Sequence, residues 1–77
     1  MTFEKYIEIV RANLPEDIEL AWIDGDPGNS WHVSFGIGNF PQAAVGTLHK
    51  DWLELAFEEQ IVENTKEVVA LVRKANV

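Results

Sequence analysis

"WHVSFGIGNF", residues 31–40, alternates from one side to the other. Trp31, Val33, Phe35 and Ile37 fall on one side, and His32, Ser34, Gly36 and Gly38 on the other. Period-two alternation marks a strand with one buried face. The first side belongs in a core. The second carries almost no side chain, which leaves it three uses: a solvent face, a docking face for a partner, or one corner of an active site.

The neighbouring stretches extend this strand into a sheet. Upstream, "EDIELAWIDGDPGNS" predicts a first strand over residues 18–23 and a hairpin loop over the turn formers Asp24 to Asn29. If Leu20 and Trp22 point inward, Ala21 and Ile23 share the outer face with His32 and Ser34. Ile23, His32 and Ser34 then form a flat, lightly clothed docking face. Downstream, Asn39, Phe40 and Pro41 make a connection. Pro41 cannot donate to a ladder, so it belongs at a strand start or on an edge. "QAAVGTL", residues 42–48, is a third strand, weakened by Gly46.

Helices flank the sheet. Over residues 2–14, Phe3, Tyr6, Ile7, Val10 and Leu14 recur at helical spacing. Thr2 can cap this helix and Pro15 stops it. Asp51 and Glu54 have capping-box spacing, and the sequence predicts one unbroken helix from there to Ala75, roughly 35 Å long at ~1.5 Å per residue. The expected fold is α+β: one domain over residues 1–77, α-β-β-β-α, a three-stranded antiparallel meander with both helices on one face.

Composition limits the function. A 77-residue chain buries only ~60% of its unfolded surface, so its stability is marginal and a second subunit is a natural supplement. It has no cysteine, which excludes disulfides and thiolate zinc sites. No apolar run reaches the ~18–20 residues that span a bilayer. Charges inside the apolar pattern of "MTFEKYIEIV" do not fit a signal peptide. The expected location is the cytoplasm. Net charge is −7, and no Lys or Arg occurs from Ala12 through His49. Nucleic-acid binding rests on cations that neutralise phosphates. Direct nucleic-acid binding is therefore not expected, nor is binding to anionic membranes.

The long helix carries two apolar stripes. Leu53, Phe57, Ile61, Val68, Leu71, Val72 and Ala75 form the expected core face. Leu55, Val62 and Val69, spaced by seven, form a second. It is either a widened buried face under the first helix or the seam of a homodimer. The dimer is the expectation, because the helix is overlong for so small a sheet. Asp51, Glu54, Glu58, Glu59 and Glu63 crowd that helix's first half, and Asp24 and Asp26 the hairpin. These carboxylates are a solvated surface or an acidic patch for a basic protein. In the second case they could imitate nucleic-acid phosphates.

Chemical motifs are weak. "DGDPGN" opens like a calcium loop, but the twelfth position is Phe35 where a bidentate Glu is needed. His32 and His49 have no metal-ligand spacing. Ser30 and Ser34 lie outside any G-x-S-x-G setting. "GIGNF" lacks the rest of a dinucleotide fingerprint. Trp22, Trp31 and Trp52 serve a core or anchor an interface. The element order and length resemble those of double-stranded-RNA-binding domains. That family carries a basic cluster at the start of its last helix, where this chain reads His49-Lys50-Asp51-Trp52-Leu53-Glu54. The resemblance therefore implies topology and not RNA binding.

The expected protein is small, acidic and non-enzymatic, without cofactor or metal. It acts by protein–protein binding and pairs with itself. The alternative is an inhibitor that mimics nucleic acid and blocks a nucleic-acid enzyme, of the kind that phages and mobile elements deploy.

Overall fold

The computed structural model describes residues 1–26 and 29–75, with Asp26 described in its backbone alone. Six elements follow one another: α1 (Phe3–Asn13), β1 (Ile18–Asp26), β2 (Ser30–Ile37), β3 (Phe40–His49), α2 (Lys50–Leu55) and α3 (Glu58–Ala75). The strands form one antiparallel sheet in the order β1-β2-β3. The expected α+β architecture stands, with two departures. One is in β1 and the other is in the long helix.

The first helix forms for the expected reasons. Thr2 Oγ1 accepts from the Lys5 N–H at 3.2 Å, one of the amides that a helix start leaves unpaired. At the other end, Leu14 turns extended, with ψ 139°, as a residue before proline does. The buried side chains are Tyr6, Ile9 and Val10, while Ile7 is half-buried.

Strand β1 departs from the expected alternation. Leu20 lies opposite Phe35, but Trp22 lies opposite Ser34 and Ile23 opposite Val33. Ala21 is the extra residue of a β-bulge. Leu20 and Ile23 are three apart, so a regular strand would put them on opposite faces. The bulge puts both against the core and sends Trp22 outward, 51% exposed. The expected outer face of Ile23, His32 and Ser34 is thus corrected: Trp22 occupies the place expected for Ile23. The strand also runs on to Asp26, into the predicted loop, of which Pro27 and Gly28 lie outside the described residues. β3 is likewise longer than expected and includes Pro41, which an edge strand tolerates.

The second departure is a break at Ala56 and Phe57. The Met1 amino group donates to the Leu53 carbonyl at 2.8 Å. In a continuous helix that carbonyl would accept from the Phe57 N–H. The Phe57 N–H donates instead to Gln60 Oε1 at 2.7 Å, the reach-back half of a capping box that starts α3. The box expected at Asp51 and Glu54 does not form. His49 is the N-cap of α2 and makes no side-chain cap bond, and Asp51 sits in the first turn. With Ala56 extended at ψ 144°, Leu53 and Ile61 both enter the core while Phe57 is left outside, 74% exposed.

The core fills the space between the sheet and the helices. Trp31, Val33 and Phe35 of β2 meet Tyr6, Ile9, Val10, Leu53, Ile61 and Val72. Phe3 stacks on Trp31 with ring centroids 4.3 Å apart. Each fully buried aliphatic side chain contributes about 1.5–3 kcal/mol. Leu71, expected inside, is exposed, and Thr65 is buried in the helical interior face. Its hydroxyl donates to the Ile61 carbonyl at 2.8 Å, which is what lets a polar residue stand there. Among the described residues, no helix is long and apolar enough to cross a membrane.

Candidate protein-binding site

The break between α2 and α3 creates a feature that an unbroken helix would not have. Leu55 and Phe57 sit on either side of the corner, 81% and 74% exposed. Their sequence neighbours Glu54, Glu58 and Glu59 are exposed too, as is Asp51 one turn earlier. Exposed carboxylates thus flank the apolar pair on both sides in sequence. Large apolar anchors with a polar rim are the usual anatomy of a protein interface.

A groove of about 640 Å³ adjoins the corner. Phe3, Ile23 and Trp31 give it apolar walls. Glu4, Asp24 and Glu54 supply carboxylates, with Lys50 as the base among its lining residues. The groove thus brings together an acid of β1 in the hairpin, Asp24, and an acid of α2, Glu54, which are far apart in sequence. Asp24 also accepts the Gly25 N–H at 2.8 Å, a local bond that shapes the hairpin. Gly25 has φ 134° there, and a Cβ on it would lie 2.5 Å from the Ser30 carbonyl oxygen, so glycine is required. The side chain of Asp26 lies outside the described residues. Glu63 stands apart from the corner and pairs with Lys66 at 3.5 Å.

The second apolar stripe divides at the helix break. Val62 and Val69 are half-buried against the core, and Val69 shares a shallow groove with Leu14 and Pro15 at the end of α1. Leu55 lies beyond the break, in α2. The three residues do not line one continuous stripe.

The outer sheet face is less bare than its sequence suggests. Ser34 lies between Trp22 and Val45 in register and is only 1% exposed. Among the described residues, its Oγ is the one buried side-chain oxygen or nitrogen without a hydrogen-bond partner. His32 is exposed, and its Nδ1 lies 3.4 Å from Thr47 Oγ1. Among the described residues, no three His, Cys, Asp or Glu side chains converge as a metal site would need.

Sequence reasoning found the acids but missed the anchors, Leu55 and Phe57 as a pair. Gln60, three residues after Phe57, was the available signal for a second helix start. No protein-family model, curated protein or solved structure matches the chain.

Proposed function

We propose that the chain is a non-enzymatic binding protein. It docks on a basic protein surface through the acid-flanked corner of α2 and α3, and it also pairs with itself. The observation that carries this reading is the corner: Leu55 and Phe57 stand out of the fold among Glu54, Glu58 and Glu59. Exposed large apolar side chains in a marginally stable domain carry a cost in solubility. A partner that covers them removes that cost, and the surrounding carboxylates select a partner with Lys and Arg at its rim.

The test is affinity capture from the native host with three versions of the protein. These are wild type, the charge reversal Glu58→Lys with Glu59→Lys, and the apolar removal Leu55→Ser with Phe57→Ser. A basic protein held by wild type and lost from both variants supports the reading. If that protein is lost only with the apolar pair, the acids are solubilising and the charge-directed part fails. If wild type holds nothing specifically, the docking on a basic partner fails.

A further inference from the structure

We infer that the free edge of β3 is the seam on which a second copy of this chain pairs, antiparallel, about a two-fold axis at Gly46. This rests on the self-association in the proposed function and replaces its expected location at Leu55, Val62 and Val69.

The two edges of the sheet differ. β1 is guarded by devices that keep strand edges apart: the bulge at Ala21 and the acids Glu19 and Asp24 along the strand. β3 is guarded only at its beginning, where Pro41, Gln42 and Ala43 lie opposite the single residue Gly36. From Ala44 to Leu48 it has no charge, no proline and no bulge. Two molecules of net charge −7 repel wherever carboxylates meet, so a contact between copies favours surface without them. No charged residue occurs from Phe40 to Leu48.

The register selects the pairing. The Lys50 N–H donates to the Asn29 carbonyl at 3.0 Å, which continues the β2–β3 ladder by one step. Antiparallel ladders alternate bonded and non-bonded pairs. Trp31 with Leu48, and Val33 with Gly46, are therefore bonded pairs. The N–H and C=O groups of Val45 and Thr47 then point to the free edge. Val45 and Thr47 can exchange both bonds with Thr47 and Val45 of a second copy, which sets Gly46 opposite Gly46. A non-bonded pair brings side chains closest, so position 46 faces its own copy directly across the axis.

Both sides of the strand suit the same pairing. On the outer face, Val45 is 62% exposed and would meet the Thr47 methyl of the other copy. On the helical side, a groove of about 320 Å³ runs under β3, lined in part by Gly46, Leu48, Trp52, Val68 and Leu71. Trp52 and Leu71 are 41% and 59% exposed. A stable interface takes about 800 Å² from each partner, which a strand edge alone does not supply. These side chains add the apolar area that the edge lacks.

Three measurements test the seam. Wild type should sediment as a dimer at high micromolar concentration. Thr47→Pro removes an outward N–H without touching the β2 ladder and should raise the dimer dissociation constant roughly 30-fold, since both copies lose a bond. Val45→Lys with Thr47→Lys should do the same if the proline disturbs folding, with far-ultraviolet circular dichroism as the check. Gly46→Cys is the positive test. The chain has no other cysteine, and a Cβ at Gly46 meets nothing within 4 Å. Under mild oxidation this variant should form a disulfide dimer about a hundredfold faster than Leu55→Cys, because the seam holds its thiols at high effective concentration. A wild-type dimer that survives the edge variants, or that crosslinks no faster at Gly46 than at Leu55, overturns the seam and leaves self-association standing. A wild-type monomer overturns both, and leaves the capture of a basic partner untouched.

Discussion

On one face of β2, Trp31, Val33 and Phe35 disappear under the helices; on the other, Ser34 and Gly36 disappear under nothing but adjacent strands. The inner face is buried by size. Its side chains fill the space between the layers and touch residues from every helix of the core. The outer face is buried by smallness. Ser34 lies in register between Trp22 and Val45, and a Cβ on Gly36 would stand 3.0 Å from both the Phe40 carbonyl oxygen and the Pro41 Cα. The row of small residues, which reads as an empty platform, is a place where neighbouring backbone and large side chains close in. A residue can be small because nothing is needed there or because nothing else fits, and alternation alone does not separate the two.

Truncation on the inner face should have the largest effect. Phe35→Ala opens a cavity beside Val33 in a core with little else to hold it, and should cost about 3–5 kcal/mol. Stability by urea or guanidinium titration checks this, and for so small a domain the variant should be largely unfolded at room temperature. A loss near 1 kcal/mol would mean that the inner face collapses around the gap, and size would no longer distinguish the two faces.

On the outer face the informative change is an addition. Gly36→Ala should cost about 1–3 kcal/mol, because the obstacles are backbone atoms that cannot rotate away. Alanine has the better intrinsic standing in a strand, so an unaltered or raised stability would show that the outer face is open and that Gly36 is incidental. The same substitution at Gly46, where a Cβ meets nothing within 4 Å, is the matched control and should leave the monomer's stability within about 0.5 kcal/mol.

These contrasts mark how far the sequence could be read. The strands, their order, the helix over the first residues and the inner row of β2 were legible because each rests on local rules: alternation, capping and proline. The bulge at Ala21 was not, because it follows from a tertiary demand to bury both Leu20 and Ile23. The break at Phe57 was hidden for a similar reason. The Leu53 carbonyl, which keeps the Ala56 N–H at the end of α2, also takes the Met1 amino group where a longer helix would bring the Phe57 N–H, and Met1 lies far away in sequence. The candidate site inherits both surprises. Its acids were visible as composition, but its apolar anchors exist only because the helix turns a corner.

Ser34→Ala should have a smaller effect, and its sign is the point. Removing an ordinary buried hydroxyl leaves its partner unsatisfied and costs stability. Ser34 Oγ is buried without a partner, so alanine removes a desolvated polar group and breaks no bond. Stability should be unchanged or raised by up to about 1 kcal/mol. A clear loss would reveal a bonded hydroxyl, and with it a polar outer face.

The smallest effect concerns how the helical cover of the inner face is tied to the sheet. Arg73 of α3 donates to Asp17, just before β1, at 2.8 and 3.0 Å. The hydrogen bond from Arg73 holds the Asp17 carboxyl below its usual range. The unfolded chain therefore takes up this proton at higher pH than the folded one. The pair's contribution is fully present above the unfolded carboxyl's range and is lost as pH falls through the lowered folded value. Both groups are well exposed, so salt should weaken the effect. Compared with Asp17→Asn, wild type should be slightly more stable at neutral pH and low ionic strength. That advantage should vanish on acidification, as read by paired denaturant titrations across the carboxylate range. If the difference persists in acid, Asp17 acts by packing or by its backbone rather than by charge, and the cover of the inner face owes nothing to this pair.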